Sequence, residues 1–273
     1  MPDVSLSPGL QLIIECLSQN IGELEWLKPL KMHTEKKLPT NWAAIGFDTN
    51  ALKQLRRYPP ATRSSILTYL QGESVPIILP AQSVQEYWNN HGIFTKDVLG
   101  LENETKRLAS KYEKLQGGAS SKILLDRIAA QVYTLAADVA DSQNPHLLKE
   151  SIDLWDLLLA DSTTAHVPRE RILRIGEARF ASGIAPGFAD ESKKANRLGD
   201  FFVWADFLMG LQAIGLASPS TEDSSIVFVT DDGKEDWIAS GVPHPTLLGE
   251  IFHLTGKPLE ILTMEQLKKI VQA

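Results

Sequence analysis

The chain has 273 residues, enough for one large α/β domain or two small ones with a real core. Its 43% hydrophobic and 22% charged content excludes a disordered chain, its single cysteine, Cys16, excludes an internal disulfide, and its net charge of −7 excludes a surface basic all over. No apolar run approaches the roughly 18 residues of a membrane span and the first residues show no signal-peptide pattern, so the expectation is a cytoplasmic chain with no membrane partner.

Leu10, Ile13, Ile14, Leu17, Ile21 and Leu24 recur at helical spacing and predict an amphipathic helix running to about Trp26. Pro29 and Pro39 punctuate a linker, so residues 1–41 read as a helical segment and residues 42–273 as the main domain. Ala43 to Phe47 predicts the first strand, with Asp48 at its carboxyl end and Asn50 as cap of the next helix. That helix carries Lys53, Arg56 and Arg57 beside Ala51, Leu52 and Leu55. Pro59 and Pro60 end it, and a second helix covers Thr62 to Leu70, with Arg63 in its first turn. Val75 to Leu79 is the second strand, closed by Pro80. Ser83 then predicts a cap for a helix beginning at Val84, which puts Glu86 at the capping-box position. Glu86 can therefore be a reciprocal cap or a chemical group.

Val98, Leu101, Thr105, Leu108, Tyr112 and Leu115 step by threes and fours, and so do Leu125, Ile128, Val132, Leu135 and Val139. A Gly117-Gly118-Ala119-Ser120-Ser121 turn separates them, which predicts an antiparallel helical hairpin with a coiled-coil-like seam. Its flanking Lys106, Arg107, Lys111, Lys114 and Arg127 read as a solvated face or as an arm for a substrate, a protein partner or a second copy. Helices His146 to Ala160 and Pro168 to Ala181 follow, so the helical insertion spans about residues 91–181.

Gly183 to Lys194 is a Pro/Gly loop carrying Asp190, Lys193 and Lys194, with Arg197 just beyond. Gly199-Asp200 then opens a helix, FFVWADFLMGLQAIG, apolar nearly all round and hence buried, with Asp200 at its mouth as cap or ligand. Ile226 to Val229 is a short β-branched run typical of a buried parallel strand. It stops at Thr230-Asp231-Asp232-Gly233, which is either a solvated turn or a pair of carboxylates needing a cation. A helix over Thr246 to Thr255, a strand over Leu259 to Leu262 and a helix over Glu265 to Val271 complete the order.

Strand–helix alternation after residue 42 predicts a parallel sheet with helices on both faces, whose ligands bind beyond the strand carboxyl ends. Two strand tips carrying acids suit such a crevice. Other chemistries lack their parts: no GxxxxGK[ST], GxGxxG, HExxH or GxSxG occurs, the six His show no ligand spacing, and Asn50 stands where a haloacid-dehalogenase-type phosphatase needs its second Asp. Separated carboxylates without an activated nucleophile point to metal-assisted hydrolysis with Mg²⁺ or Mn²⁺.

The order of Asp48, Glu86 in VQEYW, Asp200 in GDFFVW and the T-x-D of TDD resembles a PIN-domain nuclease. More closely it is similar to a bacterial PIN-like branch marked by PPGF/Y-x-D, GD-x-x-x-W and T-x-D-x-K-x-D-W. Here those read Ala185 to Asp190, Gly199 to Trp204 and Thr230 to Trp237, with Ala185 where Pro is common. The resemblance implies a three-layer α/β/α sandwich and metal-dependent phosphodiester cleavage, commonly of RNA. It carries the metal-binding, catalytic role onto Asp48, Glu86, Asp200 and Asp232, with Asp231 sharing the load and Asp190, Lys234, Asp236, Asn50 and Thr230 as supporting candidates. Lys234 is expected to meet phosphate or neutralise the crowded acids, and Trp204 and Trp237 to be core rather than base-stacking residues. Lys53, Arg56, Arg57, Arg63, Lys193, Lys194 and Arg197 are the expected nucleic-acid contacts. A metal-dependent ribonuclease acting as a toxin or defence effector stands against a non-catalytic RNA- or protein-binding module and a structure-specific DNA nuclease.

Overall fold

The computed structural model describes residues 6–90, 103–108, 110, 119–140, 145–190, 196–219 and 223–272. The chain divides into two compact units, residues 1–87 with 157–273, and residues 88–156.

The larger unit is built on five parallel strands: β1 (Trp42–Phe47), β2 (Ile77–Pro80), β3 (Ser162–Ala165), β4 (Ser225–Val229) and β7 (Leu259–Leu262). Their order is β3-β2-β1-β4-β7. Ile45 pairs with Ile77 on one side and with Val227 on the other, so β1 is central and β1, β2 and β4 end together. A separate two-stranded ladder, β5 (Ile238–Ala239) with β6 (Val242–Pro243), is antiparallel.

The helices of this unit are α1 (Pro8–Ser18), α2 (Leu27–Thr34), α3 (Thr49–Arg57), α4 (Pro60–Gly72), α5 (Ala81–Asn89), α8 (Arg169–Ala181), α9 (Gly199–Ala213), α10 (Pro245–Thr255) and α11 (Met264–Gln272). Alternation along the strands assigns the two faces. Ala44, Ile78, Ile226, Phe228 and Leu259 join α1, α9 and α10 in one core cluster. Ile45, Phe47, Val227 and Val229 point the other way and are equally buried. This is a three-layer α/β/α sandwich around a parallel sheet.

The apolar helix α9 buries ten of its fifteen residues. It lies close against the sheet because Gly46 has no side chain: a Cβ there would stand 2.3 Å from the Phe207 ring. Among the described residues, no helix is long and apolar enough to cross a membrane.

Several elements depart from the sequence reading. The first helix ends at Ser18 rather than near Trp26, and Asn20 with Glu23 forms a capping box on a 3-10 turn, Ile21–Glu23. Pro29, expected in a linker, sits in the first turn of α2, where no backbone donor is needed. Pro60 begins α4 rather than ending α3, for the same reason. The strand β3, S-T-T-A, falls inside the stretch assigned to the helical insertion, so residues 162–181 belong to the sheet-bearing unit.

The smaller unit contains α6 (Ala119–Ala140) and most of α7 (Pro145–Ala160). Residues 103–108 are helical, and the Lys106 ammonium lies 5.0 Å from the Tyr133 ring centre. Ala119 to Ser121, read as turn, are helical; Gly117 and Gly118, with Lys111, Tyr112, Lys114 and Leu115, lie outside the described residues. Of the expected seam, Leu125 and Val132 are half-buried while Ile128 is exposed, so the described part of α6 leaves that stripe only partly covered.

Candidate active site at the strand carboxyl ends

Asp48 leaves the tip of β1 and caps α3 itself, the role expected of Asn50. Its Oδ1 accepts from Thr49 N at 2.6 Å and its Oδ2 from the Thr230 hydroxyl at 2.9 Å. The Asn50 backbone amide adds a further hydrogen bond, while the Asn50 side chain is exposed. Burial pushes the Asp48 carboxyl up to about 6; the hydrogen bonds from Thr230 and Thr49 oppose it, and the charge of Glu86 adds to it.

Glu86 is not a helix cap. Helix α5 starts at Ala81, immediately after Pro80, so Ser83 is inside it and fully buried, and Glu86 stands in its second turn. The carboxylate accepts from three groups on three elements: Thr49 Oγ1 at 2.9 Å, Gln82 Nε2 at 2.8 Å and Asn196 Nδ2 at 2.7 Å. This approach requires Gly199, because a Cβ there would stand 2.8 Å from Glu86 Oε1 and 2.5 Å from Asn196 Nδ2.

Asp200 stands in the first turn of α9, whose N-cap, Leu198, makes no side-chain cap. Its Oδ2 pairs with Lys234 Nζ at 3.4 Å and faces the Trp237 indole N–H at 3.5 Å. Asp232 follows β4; its N donates to Thr230 Oγ1 at 3.0 Å, and its Oδ2 pairs with Lys234 Nζ at 2.7 Å. The Thr230 hydroxyl thus donates to one acid and accepts from the backbone of another. Four acids from β1, α5, α9 and the β4 tip are joined through Thr49, Thr230 and Lys234.

Asp231 is not among them. Its Oδ1 accepts from Met264 N at 3.1 Å, at the start of α11. Asp236 is buried and also serves backbone: Oδ2 accepts from Gly187 N at 2.8 Å and Ala189 N at 3.3 Å. It ties down the loop that ends in the 3-10 turn Phe188–Asp190. The other end of that loop is held by Arg179, which donates to the Ala185 carbonyl, pairs with buried Glu250 and reaches Leu17 O at 3.0 Å. The Asp190 side chain, Lys193 and Lys194 lie outside the described residues.

Trp204 and Trp237 are core residues: Trp237 stacks on Phe228 with ring centres 5.1 Å apart, and Trp204 N–H donates to Glu250 at 2.6 Å. The cationic candidates separate. Arg57 and Arg197 are exposed and Lys53 is half-buried, with Arg197 5.3 Å from the Phe180 ring. Arg56 and Arg63, in contrast, are buried, and Arg63 Nη1 faces the Arg56 carbonyl at 3.5 Å, which makes them structural.

The sequence reading missed Asp206. This fully buried acid of α9 accepts from Gln82 N at 2.9 Å and Val167 N at 2.8 Å and takes both Arg169 guanidinium nitrogens, at 2.8 and 2.7 Å. Arg169 also reaches Gln82 Oε1 at 3.3 Å, so the chain Asp206–Arg169–Gln82 ends on Glu86. A carboxylate in the middle of a helix otherwise nearly apolar beyond its first turn was the available signal.

Among the described residues, no three His, Cys, Asp or Glu side chains form a ready-made metal-ligating group. The donors nonetheless suit a hard divalent cation: they are carboxylate and hydroxyl oxygens, and buried Asp48 beside Glu86 has the environment that a cation relieves.

Sheet and crevice together define the class, an α/β/α sandwich with acids gathered beyond the carboxyl ends of parallel strands. The profile of the PIN-like domain family matches residues 44–244, and the chain belongs to that family, whose fold is of the nuclease type. No curated protein and no solved structure matches it.

Proposed function

We propose that this protein is a metal-dependent nuclease that hydrolyses phosphodiester bonds of RNA, with Asp48, Glu86, Asp200 and Asp232 holding Mg²⁺ or Mn²⁺. The observation that carries the reading is the linkage of those four acids, distant in sequence, through Thr49, Thr230 and Lys234. A divalent cation held there supplies Lewis-acid activation of water and charge to stabilise the transferred phosphate. Thr230 keeps the buried Asp48 carboxylate turned into the crevice, and the Gln82 and Asn196 amides do the same for Glu86. Lys234 is close enough to the acids to meet a phosphate oxygen brought between them. The exposed cations Arg57 and Arg197, with Lys53, Lys193 and Lys194, supply backbone contacts around an acidic centre.

A toxin or defence role is the biological setting that we infer, in a bacterial cytoplasm, with the smaller unit, residues 88–156, as the region for a protein partner or second copy. The rival is a non-catalytic module that binds RNA or protein. The ammonium of Lys234 seated between Asp200 and Asp232 is the feature that favours it. Purified protein with end-labelled single-stranded RNA and DNA, in Mn²⁺ or in EDTA, separates these readings. RNA cleavage lost in EDTA supports the enzyme; binding without cleavage supports the module; preference for branched DNA moves the substrate to DNA.

A further inference from the structure

Lys234 joins two acids that come from different elements. Its Nζ lies 2.7 Å from Asp232 Oδ2 and 3.4 Å from Asp200 Oδ2, and the three side chains are 30%, 13% and 16% exposed. The lysine is placed there by the turn after β4, where its own N donates to Asp232 Oδ1 at 3.1 Å. The links described for Asp48 and Glu86 are of a different kind. Asp48 is held by a threonine hydroxyl and backbone amides, and Glu86 by a hydroxyl and two side-chain amides. Those groups carry no charge, so a cation entering between the acids leaves them in place. An ammonium shared by two carboxylates competes with a divalent cation for the same oxygens. It is a compact charge on a flexible four-carbon stem, able to withdraw without moving its backbone.

We propose that Lys234 is a displaceable internal counter-ion: it holds Asp200 and Asp232 together in the metal-free protein and leaves when a divalent cation binds, which frees its ammonium for a substrate phosphate. This inference rests on the metal-dependent reading above and adds a direction to it. Removing the lysine makes metal binding tighter, although it removes a polar group from the site. It also gives Lys234 two successive duties, which accounts for a cation inside a centre built to take another cation.

The test is calorimetric titration of Mn²⁺ into the 273-residue chain and its Lys234→Met variant, with melting temperatures measured in EDTA and in saturating Mn²⁺. The variant is expected to bind Mn²⁺ tighter by about twofold to thirtyfold, the range that two partly exposed ion pairs represent. It melts lower than wild type in EDTA, and Mn²⁺ closes that gap. Affinity equal to or weaker than wild type, with the gap persisting in Mn²⁺, makes Lys234 a fixed strut and overturns the proposal. If Lys234→Met does not fold, Lys234→Gln carries the same expectation and the same refutation. No Mn²⁺ binding by the wild-type chain fails the metal-dependent reading itself, and the counter-ion with it; binding by wild type without tightening in the variant fails the counter-ion alone.

Discussion

At the scale of single residues, the crevice combines groups under strain with groups that relieve it. Asp48 is buried and its carboxyl is pushed up to about 6, above the usual 3.8. A raised folded value means that ionisation opposes folding: stability from this group is full below 3.8 and is lost as pH rises through about 6. Asp48→Asn is therefore expected to stabilise the metal-free protein at pH 7 by up to about 3 kcal/mol, with the gain shrinking as pH falls through that window. Denaturant unfolding of both proteins at pH 7 and pH 4 checks it; a variant less stable at pH 7 contradicts it. Gly199 makes a second case. An alanine there pushes on Glu86 and Asn196 rather than on the core, so Gly199→Ala should cut turnover about tenfold or more while moving the melting temperature by only a few degrees. A full-rate Gly199→Ala enzyme would show that the Glu86 position is not set by this contact.

At the scale of elements, what could be read in the sequence follows burial. β1, β4 and α9 were readable because most of their residues are buried, so they form apolar runs, broken inside α9 by Asp206. β3, Ser-Thr-Thr-Ala, is an edge strand with three half-buried or exposed positions of four, and no apolar run betrays it. The Asp48, Asp200 and Asp232 positions were readable because they sit at the ends of such runs. Of the partners of Glu86, Gln82 is its own neighbour one turn back on α5, but Thr49 and Asn196 come from distant segments brought together by the fold, and those were not readable. The chain Asp206–Arg169–Gln82 shows how α9 supports α5. Asp206→Ala leaves the Arg169 guanidinium and two buried backbone amides without their acceptor, and is expected to cost about 3–5 kcal/mol. Chemical denaturation measures it, and a loss under about 1 kcal/mol would deny the network its supporting role. His244 offers a pH handle on α10: its Nδ1 accepts from Thr246 N at 3.2 Å, and burial first of all lowers its pKa. That contribution is present above 6.5 and lost as pH falls below it, so acid should weaken the start of α10 first, as amide exchange of Thr246 would report.

At the scale of the whole molecule, the proposed substrate is a polyanion, which an acidic chain would hold through local charge. The structure removes Arg56 and Arg63 from that task by burying them, and leaves Arg57 and Arg197 exposed. The triple change Lys193→Glu/Lys194→Glu/Arg197→Glu should then weaken single-stranded RNA binding and flatten its salt dependence by about 0.7 in slope per lost phosphate contact. An unchanged slope would move the RNA path elsewhere, with the smaller unit, residues 88–156, next in line. The architecture itself, parallel strands whose carboxyl ends gather acids from four elements, makes the metal-dependent cut the central claim. Its most direct test is cleavage of labelled RNA in Mn²⁺ by Asp48→Asn, Glu86→Gln, Asp200→Asn and Asp232→Asn, beside Asp231→Asn as the acid that serves α11 instead. The account predicts that the first four lose cleavage while staying folded, and that Asp231→Asn keeps it. Cleavage surviving in the four, or lost only in Asp231→Asn, would contradict it.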